Sequence, residues 1–396
     1  MTVKIIRPSN LWTKAGKEKM HPFEIRNAHF DRLVNTSGLK WLGQNTNHAT
    51  PHPAVLEAIQ RCLADEEFHI YAPPVGLEAL RSGITADLGL PDQAALVFDG
   101  AVSALAHSCR VLLGLGDELI TTDPTWNWPM VFAKSVGATV KQIPIYGDEY
   151  GYRLAPERLA AAIGPKTKVV YLVDPNNPLG SACTPAEMDA IVDAVRPSQA
   201  FLIHDCTYRH FAYDHTLAAS RFPERTLTVY SFSKWLGLAG LRIGAMVTTP
   251  DLAERLAAAQ PNILGSNILS QRAAIAGLQI KDEWFPGVLA QQRANQQLIK
   301  DAVDRLDNVR IPVFPSNGNF LVIECSGAGV RPEVLTACYQ ERGIMIRQGA
   351  YHTPNFGDRF VKVSTSVPAE WIEEFVELLP AMMDMARGRN ESVKLF

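Results

Sequence analysis

Residues 228–247, TVYSFSKWLGLAGLRIGAMV, begin as an apolar alternating strand and then bring several polar groups together. These groups are the hydroxyls of Ser231 and Ser233, the amine of Lys234 and the guanidinium of Arg242. Hydroxyls and guanidinium groups are typical phosphate ligands, and arginine adds bidentate geometry. A lysine held beside another cation has a lowered pKa, which suits a nucleophile that forms a Schiff base. A surface lysine with a nearby arginine explains the spacing equally well.

Two further polar clusters also follow apolar runs. Gly100 lies between a strand and a helix that starts at Ala101, where free backbone N–H groups could hold an anion. Many such turns contain a glycine for other reasons. Asp205 follows the buried run FLIH and needs a cation or a strong donor, which a protonated ring nitrogen or a structural arginine would provide. Tyr208 could face the same space or simply pack.

Two other positions could serve a flat polar ligand. Asn177 lies in DPNNPLG, where Asn-Pro also favours a plain turn. Trp126, in DPTWNWP, offers a stacking face for a planar ligand or is an ordinary core aromatic. Each structural alternative is reasonable by itself, but the clusters occur at the ends of several strands.

The strands that carry these clusters predict an α/β fold. Between residues 95 and 250, Val/Ile/Leu-rich runs alternate with helical patterns, which favours a mainly parallel sheet covered by helices on both faces. Thr184 and Pro185 mark a helix start. Ligands of such sheets bind beyond the carboxyl ends of the strands. We therefore predict one site at that edge.

The predicted domains are a large one at 49–285 and a smaller α+β one at 286–396. The first 48 residues are expected to be irregular and to pack on the small domain or on a partner subunit. Asn45 or Asn47, in WLGQNTNHATPHP, could line the substrate pocket, although a capping or turn role is commoner for such residues.

Composition narrows the function classes. The chain has 396 residues, a formal net charge of −3 and 20% charged residues, without a basic arm for nucleic acid. Neither a secretory leader nor a run long enough for a membrane span is evident. The six cysteines are widely spaced and form no C-x-x-C pair, so we expect reduced thiols, no metal site and a cytoplasmic enzyme with small-molecule substrates.

Taken together, the motifs resemble the class I/II aminotransferase family of fold-type-I pyridoxal-phosphate enzymes. SFSKWLGLAGLRIG matches the family pattern Ser-x-Ser-Lys…Gly-x-Arg-x-Gly. The resemblance implies that Lys234 holds pyridoxal 5′-phosphate as a Schiff base and that Ser231, Ser233 and Arg242 bind its phosphate. The turn Gly100-Ala101-Val102 corresponds to the family's backbone phosphate cup.

The same resemblance assigns the remaining cofactor contacts. Asp205 would pair with the pyridinium nitrogen, Tyr208 and Asn177 would reach the phenolic oxygen, and Trp126 would stack on the ring. Asn177 and Trp126 would also border the substrate. YAPPVGLEALR resembles a family stretch whose tyrosine, here Tyr71, reaches the phosphate of the neighbouring subunit, which implies a homodimer with shared sites.

One position departs from the family pattern. The family binds the substrate α-carboxylate with an arginine in a strand of the small domain, where RFVKVSTS has Lys362. Lysine does not replace arginine at a bidentate carboxylate site. Either Lys362 binds the carboxylate as a point charge, or Arg359 or Arg347 does so, or the substrate is unusual; a one-residue alignment slip is a further alternative.

The predicted function is therefore transfer of an amino group between an amino acid and a 2-oxo acid, with Lys234, Asp205 and Tyr208 as catalytic residues. The alternative is a pyridoxal-phosphate-dependent lyase, decarboxylase or oxidase that uses the same Schiff base. The altered carboxylate position raises the weight of this alternative.

Overall fold

The computed structural model describes residues 22–260 and 263–389. The chain divides after Leu39 into two compact units, and the larger one contains all the predicted site residues. In the smaller unit, α1 spans Pro22–Val34, so the expectation of an irregular N-terminal segment is wrong there. Its helix signals are a proline at the start, Glu24 in the first turn and Arg32 in the last. The prediction for residues 1–21 lies outside the described residues.

The larger unit is built on a seven-stranded sheet. Its strands are β2 (Ala94–Phe98), β3 (Glu118–Asp123), β4 (Thr139–Pro144), β5 (Thr167–Val173), β6 (Phe201–Asp205), β7 (Thr226–Ser231) and β8 (Gly244–Thr248). Their spatial order is β2-β8-β7-β6-β5-β3-β4. Only β8 runs against its neighbours, and the pairs among β4, β3, β5, β6 and β7 are parallel. The predicted α/β fold with a mainly parallel sheet is confirmed.

Helices connect and cover these strands. They are α2 (Pro53–Ala64), α3 (Glu78–Leu88), α4 (Ala101–Leu112), α5 (Trp128–Ser135), α6 (Pro156–Ala162), α7 (Pro185–Val195), α8 (Pro250–Ala258) and α9 (Ile268–Gln279). The predicted start of α7 is confirmed, because the Thr184 hydroxyl accepts the N–H of Glu187 while the Glu187 carboxylate accepts the N–H of Thr184. Two apolar clusters, one around Leu202 and one around Val229, pack residues of the sheet against helices.

The C-terminal part adds a smaller α+β layer. The long helix α10 (Lys281–Val303) leads to β9 (Phe320–Glu324), α11 (Pro332–Gln340), β10 (Ile344–Met345), β11 (Arg347–Gln348), β12 (Phe360–Ser364) and α12 (Ala369–Gly388). Strands β11, β12 and β9 form an antiparallel sheet. The short β1 (Lys40–Trp41) pairs with β10. The predicted division after residue 285 falls inside α10 and stays a prediction.

The apolar core of this smaller layer lies between its sheet and its helices. Buried residues of β9 and β12, such as Leu321 and Val361, pack with Ile299 of α10 and Phe375 of α12. In the described ranges, the helices are too short or too polar to cross a bilayer.

Candidate active site

The candidate site lies along one edge of the seven-stranded sheet. Strands β2, β7, β6, β5 and β3 all end at this edge, and the antiparallel β8 begins there. The strand order places the polar residues in a row, namely Gly100, Arg242, Ser231 to Lys234, Asp205 to Tyr208, Asn177 and Trp126. Neighbouring strands are about 4.8 Å apart, so groups at the ends of adjacent strands in this row can contact one flat ligand.

A narrow cradle lies at the first end of this row. Gly100 has φ +83°, and a Cβ there would lie 2.3 Å from Nη2 of Arg242. A Cβ on Gly244 would lie 2.5 Å from the backbone nitrogen of Ala101. No side chain caps α4, so the N–H groups of Ala101 and Val102 point out of the helix start. The cradle therefore combines a guanidinium, free N–H groups and the positive end of a helix dipole.

The cradle is bordered by Ser231, which ends β7, and by Ser233 and Lys234, which follow it. Ser231 and Ser233 are buried, and the hydroxyl of Ser231 accepts the N–H of Ser233 at 3.2 Å. Lys234 Nζ donates to the carbonyl of Gln44 at 3.0 Å. Burial, and then the charge of Arg242, lowers the pKa of Lys234 to about 8, while Asp205 acts in the opposite direction. A lysine in this state is a much better nucleophile at neutral pH than an exposed one.

Asp205 is a buried carboxylate held by neutral donors. Its Oδ2 accepts the Tyr171 hydroxyl at 2.9 Å. Its Oδ1 accepts the Thr207 hydroxyl at 2.6 Å and the Thr207 N–H at 3.1 Å. Burial raises the pKa of Asp205, and the hydrogen bonds from Thr207 and Tyr171 partly offset this rise. A cation placed against Asp205 would stabilise its ionised form.

Tyr208 is at the centre of a small amide network. Its hydroxyl oxygen accepts N–H groups from Asn45 at 2.9 Å and from Asn177 at 3.2 Å. Within residues 22–260 and 263–389, the buried Oδ1 of Asn177 has no hydrogen-bond partner. Asn45 is thus brought to the site, whereas Asn47 donates to the carbonyl of Trp235.

Trp126 and Tyr71 are placed differently. Trp126 is partly buried after β3 and packs against the apolar cluster around Val229. The adjacent Asn127 donates to the carbonyl of Tyr351 at 2.8 Å, which ties this loop to the smaller layer. Tyr71 is 77% exposed. In the single chain it is therefore not buried with the other predicted cofactor residues.

A second cationic group faces this edge from the smaller layer. Lys362 and Arg347 are register partners on β12 and β11, and they are 3% and 4% exposed. Burial, together with the charges of Arg347 and Lys234, lowers the pKa of Lys362 well below its ordinary value. Among the described residues, Lys362 forms no ion pair with an acidic side chain. Arg359 instead lies near the rings of Tyr146 and Phe356.

Behind Asp205, a buried carboxylate contacts two histidines. Asp174 Oδ2 lies 3.5 Å from Nε2 of His204 and 3.3 Å from Nε2 of His215. Nitrogen and sulfur atoms of His204, Cys206 and His215 come within 4.8 Å of one another. However, the N–H of Ala218 points at Nδ1 of His204, so the His204 proton is assigned to Nε2, facing Asp174. The cluster is therefore a set of close polar contacts beneath the β5 and β6 ends.

Comparisons with known proteins agree with this fold. Residues 38–379 match the family model described as aminotransferase class I and II. Histidinol-phosphate aminotransferase of Methanopyrus kandleri is 28% identical over 357 residues, which cover 87% of this chain and 88% of that protein. An aromatic amino acid aminotransferase of Cutibacterium acnes is 29% identical over 322 residues, with 78% and 87% covered.

Two solved structures share the fold. N-succinyldiaminopimelate aminotransferase of Mycobacterium tuberculosis has a TM-score of 0.81 at 22% identity, covering 90% of this chain and 96% of its own. Aspartate aminotransferase of Thermus thermophilus with maleate has a TM-score of 0.79 at 22% identity, covering 92% and 97%. The fold is that of these aminotransferases, and pyridoxal phosphate is the cofactor of the family. The chain belongs to the class I and II aminotransferase family.

The residues at the sheet edge fit pyridoxal phosphate. The cradle at Gly100 and Gly244 is too narrow for side chains and is lined by phosphate donors. Asp205 is buried without a cationic hydrogen-bond partner among the described residues, which suits a protonated ring nitrogen. The cradle and Asp205 lie on either side of Lys234 in the strand order.

The sequence did not single out several residues that build this site. Thr207 could have been found, because an Asp followed two residues later by Thr commonly forms a local turn in which the carboxylate accepts from Thr. Tyr171 had no such signal, since its contact with Asp205 depends on β5 lying beside β6. His352 is a buried neighbour whose pKa is well below its usual value, owing to burial and then the charges of Lys362 and Arg347.

Proposed function

We propose that this protein transfers an amino group between an amino acid and a 2-oxo acid, with pyridoxal phosphate as its cofactor. The observation that carries the proposal is the position of Lys234 between the cradle at Gly100 and the buried carboxylate of Asp205. A phosphate-bearing ring compound needs an anion site, a reactive amine and a ring partner in this order.

Each cofactor contact is assigned to residues of the sheet edge. Ser231, Ser233, Arg242 and the N–H groups of the turn Gly100-Ala101-Val102 hold the phosphate. Asp205 accepts the N–H of the ring nitrogen and keeps the proton there. Tyr208 and Asn177 contact the phenolic oxygen, and Trp126 packs on the ring.

The chemistry then depends on Lys234. Pyridoxal phosphate, when bound, supplies a carbonyl group for the amine and a ring that accepts the electron pair of the substrate α-carbon. Lys234 Nζ would hold the cofactor at that carbonyl group, and its lowered pKa of about 8 favours this. Once released from the cofactor, Lys234 Nζ would act as the base that moves the proton of the substrate α-carbon. Asn177 and Trp126 also border the substrate.

The substrate carboxylate is assigned to Lys362 with Arg347 beside it. Both are buried, and they are opposite each other on the adjacent strands β12 and β11. An incoming anion would therefore contact two cationic side chains. Arg347 is the register partner of Lys362 and Arg359 lies near an aromatic ring, which supports Arg347 rather than Arg359 as the second carboxylate ligand. The relatives named for histidinol phosphate and for aromatic amino acids suggest a donor panel that includes a phosphate-bearing amine alongside aromatic and acidic amino acids.

The active enzyme is proposed to be a cytoplasmic homodimer. Tyr71 would reach the phosphate of the other subunit, which accounts for its 77% exposure in one chain. Leu56, Leu63, Phe68 and Ile70 are also exposed near it in the sequence and would be covered by the second subunit. The six cysteines, all described and all unpaired, are consistent with a reducing compartment.

Half-reaction spectroscopy tests the proposed activity. Purified protein loaded with pyridoxal phosphate should lose its visible absorbance when an amino donor is added and recover it with a 2-oxo acid. Ammonia and pyruvate released from cysteine-like substrates without such recovery would overturn the transferase assignment in favour of a lyase. A K234A variant with wild-type turnover would overturn the assignment of Lys234.

A further inference from the structure

We propose that Asn45 is a positioning residue that orients the hydroxyl of Tyr208 so that its proton points toward the cofactor. This inference rests on the proposed function, and it concerns a residue outside the motifs of the sheet edge. Asn45 lies in the segment before α2, five residues after the start of β1 at Lys40.

The direction of the hydrogen bonds at Tyr208 follows from the atoms that form them. Asn45 Nδ2 lies 2.9 Å and Asn177 Nδ2 lies 3.2 Å from the Tyr208 oxygen, and an amide nitrogen can only donate. The two amides therefore use the acceptor capacity of the phenol oxygen and leave its proton free. Within the described ranges, no other residue accepts that proton in a hydrogen bond. The proton can then be donated to a ligand oxygen at the sheet edge.

Contacts of Asn45 with residues other than Tyr208 fix the orientation of its side-chain amide. The Ser364 hydroxyl accepts the backbone N–H of Asn45 at 2.8 Å and lies 3.4 Å from Asn45 Oδ1, to which it can donate. Asn319 Nδ2 donates to the Asn45 carbonyl at 2.9 Å. Because Oδ1 faces a hydroxyl donor, the Nδ2 group is the one turned toward Tyr208.

The backbone of Asn45 supports the same conclusion. Its φ is +55°, a left-handed conformation that Asn tolerates better than most residues, and it is 1% exposed. Ser364 is two residues from Lys362 on β12, so the two share one face of the strand. The Asn45 segment thus links the strand of the proposed carboxylate site to Tyr208.

The Asn45 hydrogen bond also affects the acidity of the phenol. Burial raises the pKa of Tyr208, and the Asn45 hydrogen bond acts in the opposite direction. The phenol therefore stays protonated while becoming a better donor. Loss of Asn45 would weaken that donation to the phenolic oxygen of the cofactor, which would then hold its own proton to higher pH.

The test uses N45G and N45D in the full-length holoenzyme. Glycine adopts the left-handed conformation freely and removes only the amide, so N45G keeps the backbone contacts. Aspartate accepts rather than donates, so N45D would draw the Tyr208 proton away from the cofactor. N308G is the matched control, because Asn308 is an exposed asparagine with φ +59° outside the site.

Two readouts are measured, the pH midpoint of the cofactor absorbance and kcat against KM. We expect N45G to raise the midpoint by about half to one pH unit and to lower kcat about fivefold to tenfold, with KM nearly unchanged. N45D should shift the midpoint further, and N308G should behave as wild type. In a Y208F background, N45G should change kcat less than twofold, because the hydroxyl that Asn45 orients is absent.

The possible failures are distinct. An N45G effect of full size in Y208F, or an unchanged midpoint and kcat in N45G, would overturn the role of Asn45 and leave the transferase assignment intact. If wild-type protein neither binds pyridoxal phosphate nor converts amino donors, the proposed function fails first, and the inference fails with it.

Discussion

Lys362 and Arg347 are directly opposite each other in the antiparallel pair of β12 and β11, and both are almost completely buried. Two cations in this position repel each other unless an anion lies between them. The Nζ of Lys362 lies 5.3 Å from the ring centre of Phe320, which offers only weak compensation. This arrangement supports the proposal that the pair binds the carboxylate of the substrate.

This pair predicts an unusual pH dependence of substrate binding. The pKa of Lys362 is lowered, so its ammonium form is lost as the pH rises through that lowered value. Because only the charged form attracts a carboxylate, we expect the KM for the amino donor to rise with pH in wild type. In K362R the guanidinium stays charged, so the rise should disappear. Steady-state kinetics over a series of pH values would measure KM for wild type and for K362R.

The matched control for Lys362 is R359A. Arg359 was an alternative carboxylate ligand, but it lies near aromatic rings rather than opposite Arg347. We expect K362A to raise KM at least tenfold and R359A to change it less than threefold. The reverse pattern would show that Arg359 binds the carboxylate.

A methyl group in the cradle should weaken cofactor binding. In G100A, the added Cβ would lie 2.3 Å from Nη2 of Arg242 and force it away. We expect pyridoxal phosphate to bind about 10- to 100-fold more weakly, as for loss of hydrogen bonds to a charged group. G89A is the control, since Gly89 has φ +67° and open space around it. It should cost about 1 kcal/mol of stability and leave cofactor affinity unchanged.

The reactivity of Lys234 should depend on Arg242. With a pKa of about 8 for Lys234, the neutral amine rises from about one tenth at pH 7 to about one half at pH 8. The rate at which apoenzyme captures pyridoxal should thus rise about fivefold over that interval. Arg242 lowers this pKa, so in R242A the same rise should occur at higher pH.

Pyridoxal lacks the phosphate and therefore separates the two roles of Arg242. R242A should bind pyridoxal phosphate about 10- to 100-fold more weakly than wild type, yet bind pyridoxal about equally well once the amine is neutral. A capture rate with the wild-type pH profile in R242A would contradict the electrostatic role.

Mixed dimers test the position of Tyr71. A heterodimer of one K234A subunit and one Y71A subunit has one fully intact site only if Tyr71 acts on the other subunit. We expect such a heterodimer to bind one pyridoxal phosphate with wild-type affinity and to have about half of the wild-type dimer's activity. If Tyr71 served its own subunit, the only site with a lysine would lack the tyrosine, and tight binding would be absent.

The sequence by itself determined the sheet and the identity of its polar ends. Apolar runs separated by helical patterns predicted the parallel sheet because buried parallel strands are apolar on both faces. The capping box at Thr184 was predictable because it depends on residues three apart. Lys234, Asp205 and Gly100 stood out because each combines a costly or special residue with a strand end.

Only the tertiary structure decided which groups contact one another. The sequence left Lys362, Arg359 and Arg347 as alternatives, and the register of β11 on β12 placed Arg347 opposite Lys362. Similarly, the contacts of Tyr171 with Asp205 and of Asn45 with Tyr208 join residues 34 and 163 positions apart. Local propensity and periodicity act over a few residues, whereas these contacts depend on strand order and domain packing, which no local pattern encodes.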